Sequence, residues 1–224
     1  MTIKNIWASR TPSNVNYEQG SELQKHVILG GNRLLFYTGI TEKCACTSGV
    51  YDLTSTGTKI YLNSVAWMLS APGTKIAFIS NSTFVSPSYS EYTSVLENKG
   101  YTIDRFNPKK NLPDADTLNT YNIVIISRVN NSSDFGGSKA SFWNTDVTVP
   151  LINLNGSTVI HNVLGFVDTS RIIDTISDIK YKVPNTSNPV FDGVAFNVNN
   201  ITENVISTLL NCNQDFTAHG ECVG

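Results

Sequence analysis

Charge is scarce in this chain: Asp, Glu, Lys and Arg make up 15% of its 224 residues, against roughly 25% in an average soluble domain. Asn, Ser and Thr take their place, giving a polar but weakly charged surface of the kind met outside the cell, on cell surfaces or on virions. The net charge of −2 offers no basic footprint for DNA or RNA, so no nucleic-acid partner is expected. Apolar runs are short, none near the roughly 18 residues a membrane-spanning helix needs, and no membrane insertion is expected. The opening residues Met1-Thr2-Ile3-Lys4-Asn5-Ile6-Trp7 carry neither an apolar h-region nor a cleavage site. No signal peptide is visible; export would use a signal already removed, a larger precursor or release by lysis.

Catalytic patterns are missing as well. The chain has no Gly-x-Ser-x-Gly elbow, no phosphate-cradling glycine loop and no His-Glu-x-x-His helix. His26, His161 and His219 read as surface or hydrogen-bonded residues. Asp114 and Asp116 read as helix-capping residues, and the spacing of Asp168, Asp174 and Asp178 selects neither a metal nor a glycan. No metal site and no cofactor are expected.

Cysteine is sparse but even in number, at Cys44, Cys46, Cys212 and Cys222. In an oxidising setting all four are disulfide candidates, with three pairings open. Cys212 and Cys222 are spaced to close a small loop, whereas Cys44 and Cys46 lie too close for comfortable mutual bonding. Unpaired thiols remain open. Zinc, with His219 between the last two, is the least favoured reading, since structural sites use tighter spacing than Cys-x9-Cys. Asn81, Asn130, Asn131, Asn155, Asn185 and Asn200 each open an Asn-x-Ser/Thr sequon, making them glycosylation candidates in a secreted protein. In so Asn-rich a chain, chance supplies several.

What is present is an alternation of strand and helix patterns. The breaker Ala71-Pro72-Gly73 divides the chain. Before it lie a short strand at Ile6–Ser9, a strong one at Arg33–Thr38, and a helix over Thr56–Leu69 with Asp52 and Thr54 as capping oxygens. After it come strands at Lys75–Ser80, Tyr101–Phe106, Asn122–Ser127 and Val149–Leu154, with a helix over Tyr89–Lys99 ended by Gly100. The unbroken apolar runs Ile76–Ile79 and Ile123–Ile126 predict strands buried on both faces, hence a parallel sheet between helices. Beyond Ser157 the pattern weakens; Tyr181–Val183 and Ala195–Val198 suggest strands, Asn188–Gly193 a turn and Thr202–Leu210 a helix.

Several of these segments resemble the class I glutamine-amidotransferase-like superfamily, especially its non-catalytic, trehalose-utilisation-protein-like branches. The strand Lys75–Ser80, the helix closing on Leu96-Glu97-Asn98-Lys99-Gly100-Tyr101, the stretch Leu118–Ser127, the strand Val149–Ile152 and the turn Asn188–Gly193 follow the order of such a domain. Residues 17–67, with Asn32–Gly39 and Leu53–Trp67, resemble its closing third, which here comes first. Two explanations stand: the chain is circularly permuted, or residues 1–70 complete a neighbouring subunit in a head-to-tail assembly. The resemblance implies a single α/β domain over 1–224, a flavodoxin-like three-layer fold with a mainly parallel sheet. Residues 1–70 would close the sheet, 74–210 would form its main wound part, and 211–224 would be a polar, Cys-containing tail.

An amidotransferase carries a nucleophilic cysteine where the resemblance places Asn155, and a carboxamide is no useful nucleophile near neutral pH. The expectation is therefore a non-enzymatic structural or binding module of an extracellular or particle-associated assembly, partnered by copies of itself or by other subunits. The alternative is a carbohydrate-active or glycan-binding protein. Open parallel sheets take ligands beyond the carboxyl ends of their strands, which here offer Asn81, Ser127, Arg128, Asn153 and Asn155.

Overall fold

The computed structural model describes residues 5–6, 14–17, 20, 28–36, 51, 53–69, 74–81, 91–127, 130–158, 163–164, 180–183 and 185–205. Among the described residues seven strands form one sheet: β1 (Asn5–Ile6), β2 (Asn14–Tyr17), β3 (Arg33–Phe36), β4 (Lys75–Ile79), β5 (Thr102–Phe106), β6 (Ile123–Ile126) and β7 (Leu151–Asn153). Their order is β1-β2-β3-β7-β6-β4-β5. The five from β3 to β5 run parallel, and β1 and β2 extend the β3 edge antiparallel. The chain is thus an α/β protein of flavodoxin-like, three-layer type.

The unbroken apolar runs behave as expected of strands covered twice. Along β4, Ile76 and Phe78 pack on one side with helix α1 (Ser55–Met68) and α2 (Glu91–Glu97). Ala77 and Ile79 pack on the other with Leu118 of α3 (Ala115–Leu118), Phe135 and Trp143. Successive strand residues point to opposite faces, so a run without polar interruptions serves both cores. Helix α1 starts where expected, Thr54 Oγ1 accepting from Gly57 N at 3.1 Å. Gly100, at φ +87°, takes the left-handed conformation that ends the α2 segment at low cost.

Between β6 and β7, helix α4 (Lys139–Ser141) widens into a π-turn over Phe142–Asp146. Its last carbonyls meet Arg33, the first residue of β3, whose side chain is fully buried. The guanidinium Nη1 donates to Asn32 O and Val149 O, each at 3.1 Å. Nη2 donates to Trp143 O at 2.9 Å, Asn144 O at 3.2 Å and also Val147 O. No carboxylate pairs with it among the described residues, and burial pulls its pKa down to about 9, leaving it cationic at neutral pH. A cation at a helix carboxyl end also meets the favourable end of the helix dipole. Gly30 and Gly31 bring the chain in close enough for this contact: a Cβ on either would stand 2.1 Å from Thr145 O or Thr148 O.

Three expected elements differ. Ala195–Val198 is no strand, since only Phe196 bridges, to Thr202. Tyr181–Val183 supplies the single bridge Lys182–Ile201. Thr202 lies in extended chain, so the helix foreseen over Thr202–Leu210 does not begin there, and residues 206–210 fall outside the described residues. The cause is a turn that periodicity does not reveal. Asn197 Oδ1 accepts from Asn199 N at 2.9 Å and Ile201 N at 3.0 Å, and Asn200 adopts φ 58°, folding the chain back on itself. Cys44, Cys46, Cys212 and Cys222, the three histidines, Tyr89, and Asp168, Asp174 and Asp178 also lie outside the described residues.

Two outcomes are expected. Arg33→Ala should lower the unfolding free energy in urea by about 3–5 kcal/mol, because several buried carbonyls lose a charged donor, and Arg33→Lys should restore less than half, lacking the planar fork. An unchanged urea midpoint would show that water replaces the guanidinium. The second concerns alkali. Burial, followed by the hydrogen bond to Asp104 (2.8 Å) and its charge, pushes the Tyr121 phenol up to about 12. The folded value exceeds the unfolded one, roughly 10, so this stabilisation is complete below about pH 10 and is lost as the pH rises towards 12. Urea midpoints should fall across that window, less steeply in Tyr121→Phe; equal slopes would refute the assignment.

Candidate functional site

The sheet reverses its winding between β4 and β6: β4 continues to β5 on one side, and β6 continues to β7 on the other. Ligands of open α/β sheets settle at such a point, outside the strand carboxyl ends. The chain there is rich in short polar residues because turns need them, and the structure places Asn81, Ser127, Asn153 and Asn155 at the ends of β4, β6 and β7.

A buried carboxamide relay joins these strand ends. Asn130 Nδ2 donates to Ile79 O at 3.1 Å, to Ser127 O at 2.6 Å and to Ser127 Oγ at 3.3 Å, tying β4 to β6. Asn155 Nδ2 donates to Asn130 O at 2.9 Å, tying β7 into the same bracket. Asn153 Oδ1 accepts from Asn155 N at 3.0 Å, and its Nδ2 donates to Thr158 Oγ1 at 2.6 Å. Thr158 in turn donates to Asn155 O at 2.8 Å. Asn153, Asn155 and Thr158 are fully enclosed, and Ser127 and Asn130 nearly so. Carboxamides suit the task, since each offers a donor and an acceptor without the desolvation cost of a charge.

Above the relay lies a more open rim. Asp134, whose side chain is 3% exposed, faces the Lys109 ammonium at 3.5 Å and accepts from Asn81 Nδ2 at 3.4 Å. Asn107 Nδ2 reaches Asn81 Oδ1 at 3.4 Å. Of the candidates, then, Asn81 stands at the rim, Ser127, Asn153 and Asn155 belong to the enclosed relay, and Arg128 lies outside the described residues. Burial also bears on the sequons: Asn130 and Asn155 are enclosed, and the fold leaves no room for a glycan on either. Asn185 and Asn200 are exposed, and Asn81 and Asn131 half-buried.

The expectations had passed over Asn130 except as a sequon, and had not included Asn107, Lys109 or Asp134. Asn130 follows the β6 run by a few residues, where a turn-forming carboxamide is expected; that position was the available signal. Among the described residues no group of three or more His, Cys, Asp or Glu side chains could hold a metal ion, and no helix is long and apolar enough to cross a membrane.

The fold and the strand ends together define a flavodoxin-like α/β domain whose switch point is braced by buried carboxamides. No family model, no curated protein and no solved structure matches the chain.

Asn155→Ala should cost about 2 kcal/mol in urea unfolding, since it removes a buried amide that donates to the enclosed Asn130 carbonyl. A change under 0.5 kcal/mol, the usual range of surface substitutions, would mean that the relay does not brace the strand ends.

Proposed function

We propose that this protein is a non-catalytic structural or binding module of an extracellular or particle-associated assembly, built on a circularly permuted, degenerate glutamine-amidotransferase-like domain. The observation that carries the proposal is the state of Asn155. At the position where such a domain would hold its nucleophilic cysteine, the side chain is enclosed and its amide is bonded to Asn130 O. A nucleophile must reach its substrate and have a base beside it. Here the position serves as a brace between β6 and β7.

The strand order supports the permuted reading. Counted from β5, the parallel strands run β5-β4-β6-β7-β3. With β4 taken as first, they follow the flavodoxin-like order 2-1-3-4-5, and the fifth place is filled by a strand that precedes the other four in the chain. Because β3 pairs with β7 of its own chain, permutation requires no neighbouring subunit to complete the sheet. The assembly partners in this reading are copies of the chain or other subunits, joined through outer surfaces. The alternative, glycan recognition at the strand carboxyl ends, draws on the Asn81 and Asn107 rim, whose carboxamides suit hydroxyl groups and are held in place by the buried Asp134.

Light scattering on the intact protein is expected to show species larger than the 24.5 kDa chain that grow with concentration, and incubation with glutamine should release no ammonia. A sharp monomer at every concentration would remove the assembly half of the proposal. Ammonia release that disappears in Asn155→Ala would remove the non-catalytic half.

A further inference from the structure

On the α1 face of the sheet, a cleft of about 780 Å³ opens between the second half of α1 and residues 186–196. Its residues are separate from the strand-end rim. Trp67 of α1 and Phe196 line it as half-buried rings. Phe196 is held edge-on against the buried Phe191, ring centroids 5.8 Å apart at 74°. The Phe196 ring is therefore set by the core, and Trp67 is carried by helix α1.

Polar groups are set in the same walls. Asn63 Nδ2 donates to Val190 O at 3.1 Å and Asp192 O at 2.9 Å, fastening α1 to the turn and leaving Oδ1 with no partner among the described residues. Asn188 Oδ1 caps Val190 N at 3.0 Å, leaving Nδ2 available to donate. The Asp192 side chain is exposed and has no partner among the described residues. Among the described residues no Lys, Arg or His lines the cleft; the Lys59 ammonium at its margin is engaged with Gly193 O at 2.7 Å, and the exposed Asp192 carboxylate opposes phosphate, sulfate, sialic acid and other anions. A site of this size lies within the range of small-molecule pockets. Half-buried aromatic rings beside a free amide donor, a free amide oxygen and a carboxylate fit a ring with an apolar face and hydroxyls at its edge.

We propose that this cleft is a binding site for neutral carbohydrate, a pyranose stacking its C–H face on Trp67 or Phe196 while Asn63, Asn188 and Asp192 take its hydroxyls. The inference rests on the binding-module reading above and moves the glycan from the strand ends to this face. A peptide strand fits less well. The main-chain N–H groups of the wall are already engaged, Phe191 N with Asn188 O, Asp192 N with Pro189 O and Val194 N with Phe191 O, at 2.8, 3.1 and 3.0 Å. No ladder is left for a strand to join.

The test is an array of neutral, sialylated and sulfated glycans probed with the intact protein, followed by calorimetric titration of the strongest neutral hit. Neutral glycans should be retained in preference to acidic ones. Asp192→Ala and Trp67→Ala should each weaken the hit about tenfold, as expected for residues central to a small site. Because Trp67 is half-buried, Asp192→Ala is the decisive variant: its exposed carboxylate supports no contact among the described residues, and its Tm should match the parent. Retention of acidic glycans alone, binding of a proline-rich peptide with no glycan bound, or no binding at all would overturn the proposal. So would a glycan affinity untouched by Asp192→Ala but lost in Asn81→Ala, which would return the sugar to the strand ends and leave the binding-module reading standing.

Discussion

The Arg33 guanidinium, ringed by main-chain carbonyls with no carboxylate in contact among the described residues, determines where the first part of the chain can lie. Removing such a group from water costs several kcal/mol, and the cost is offset only when its donors reach the Trp143, Asn144, Val147 and Val149 carbonyls together. Those carbonyls belong to the connection between β6 and β7. The contact therefore fixes β3 beside β7 in one register, Arg33 opposite Leu151, and β2 and β1 inherit their places from β3. A shift by one residue would turn Leu34 and Leu35 to the wrong faces and pull the fork away from its acceptors.

The same economy of charge appears at the other end of the strands. There, where many α/β proteins place reactive groups, this chain sets carboxamides that satisfy one another and the ends of β4, β6 and β7. The ion pairs described elsewhere on the sheet, Lys75 with Asp104 and Arg105 with Glu97, have side chains roughly half exposed, where such pairs contribute little. A sequence short of charge thus secures its buried main chain with neutral amides and one guanidinium. That gives a physical role to the abundance of Asn, beyond the surface polarity first read from it.

The parts legible in the sequence were those governed by local rules. Unbroken apolar runs placed β4 and β6, Thr54 and Asp114 marked helix starts, and Gly100 marked a stop; each signal lies within a few residues of the feature it reports. Arg33 was visible only as the polar start of an apolar run, because its acceptors lie more than a hundred positions later in the chain. Asn130 reads in the sequence only as a sequon, since nothing local tells an exposed carboxamide from a buried one. The Asn197–Ile201 turn defeated the helix and strand expectations because side-chain-to-main-chain bonds, not periodicity, shape it. The Trp67 cleft escaped notice for a similar reason: its two walls come from segments about 120 residues apart, each reading as ordinary helix or turn.

The placement of β3 also bears on how the chain is made. Arg33 leaves the ribosome 116 residues ahead of Val149, an interval of roughly 6–23 s at ordinary elongation rates of about 5–20 residues per second. Throughout that interval the apolar segment Leu34–Phe36 has neither its parallel neighbour nor its carbonyl cage. Closing so long a span slows folding on topological grounds alone. Nascent chains of this protein thus pass through a stage in which the β7-facing edge of this hydrophobic strand is unpaired, when holding chaperones would have most to do.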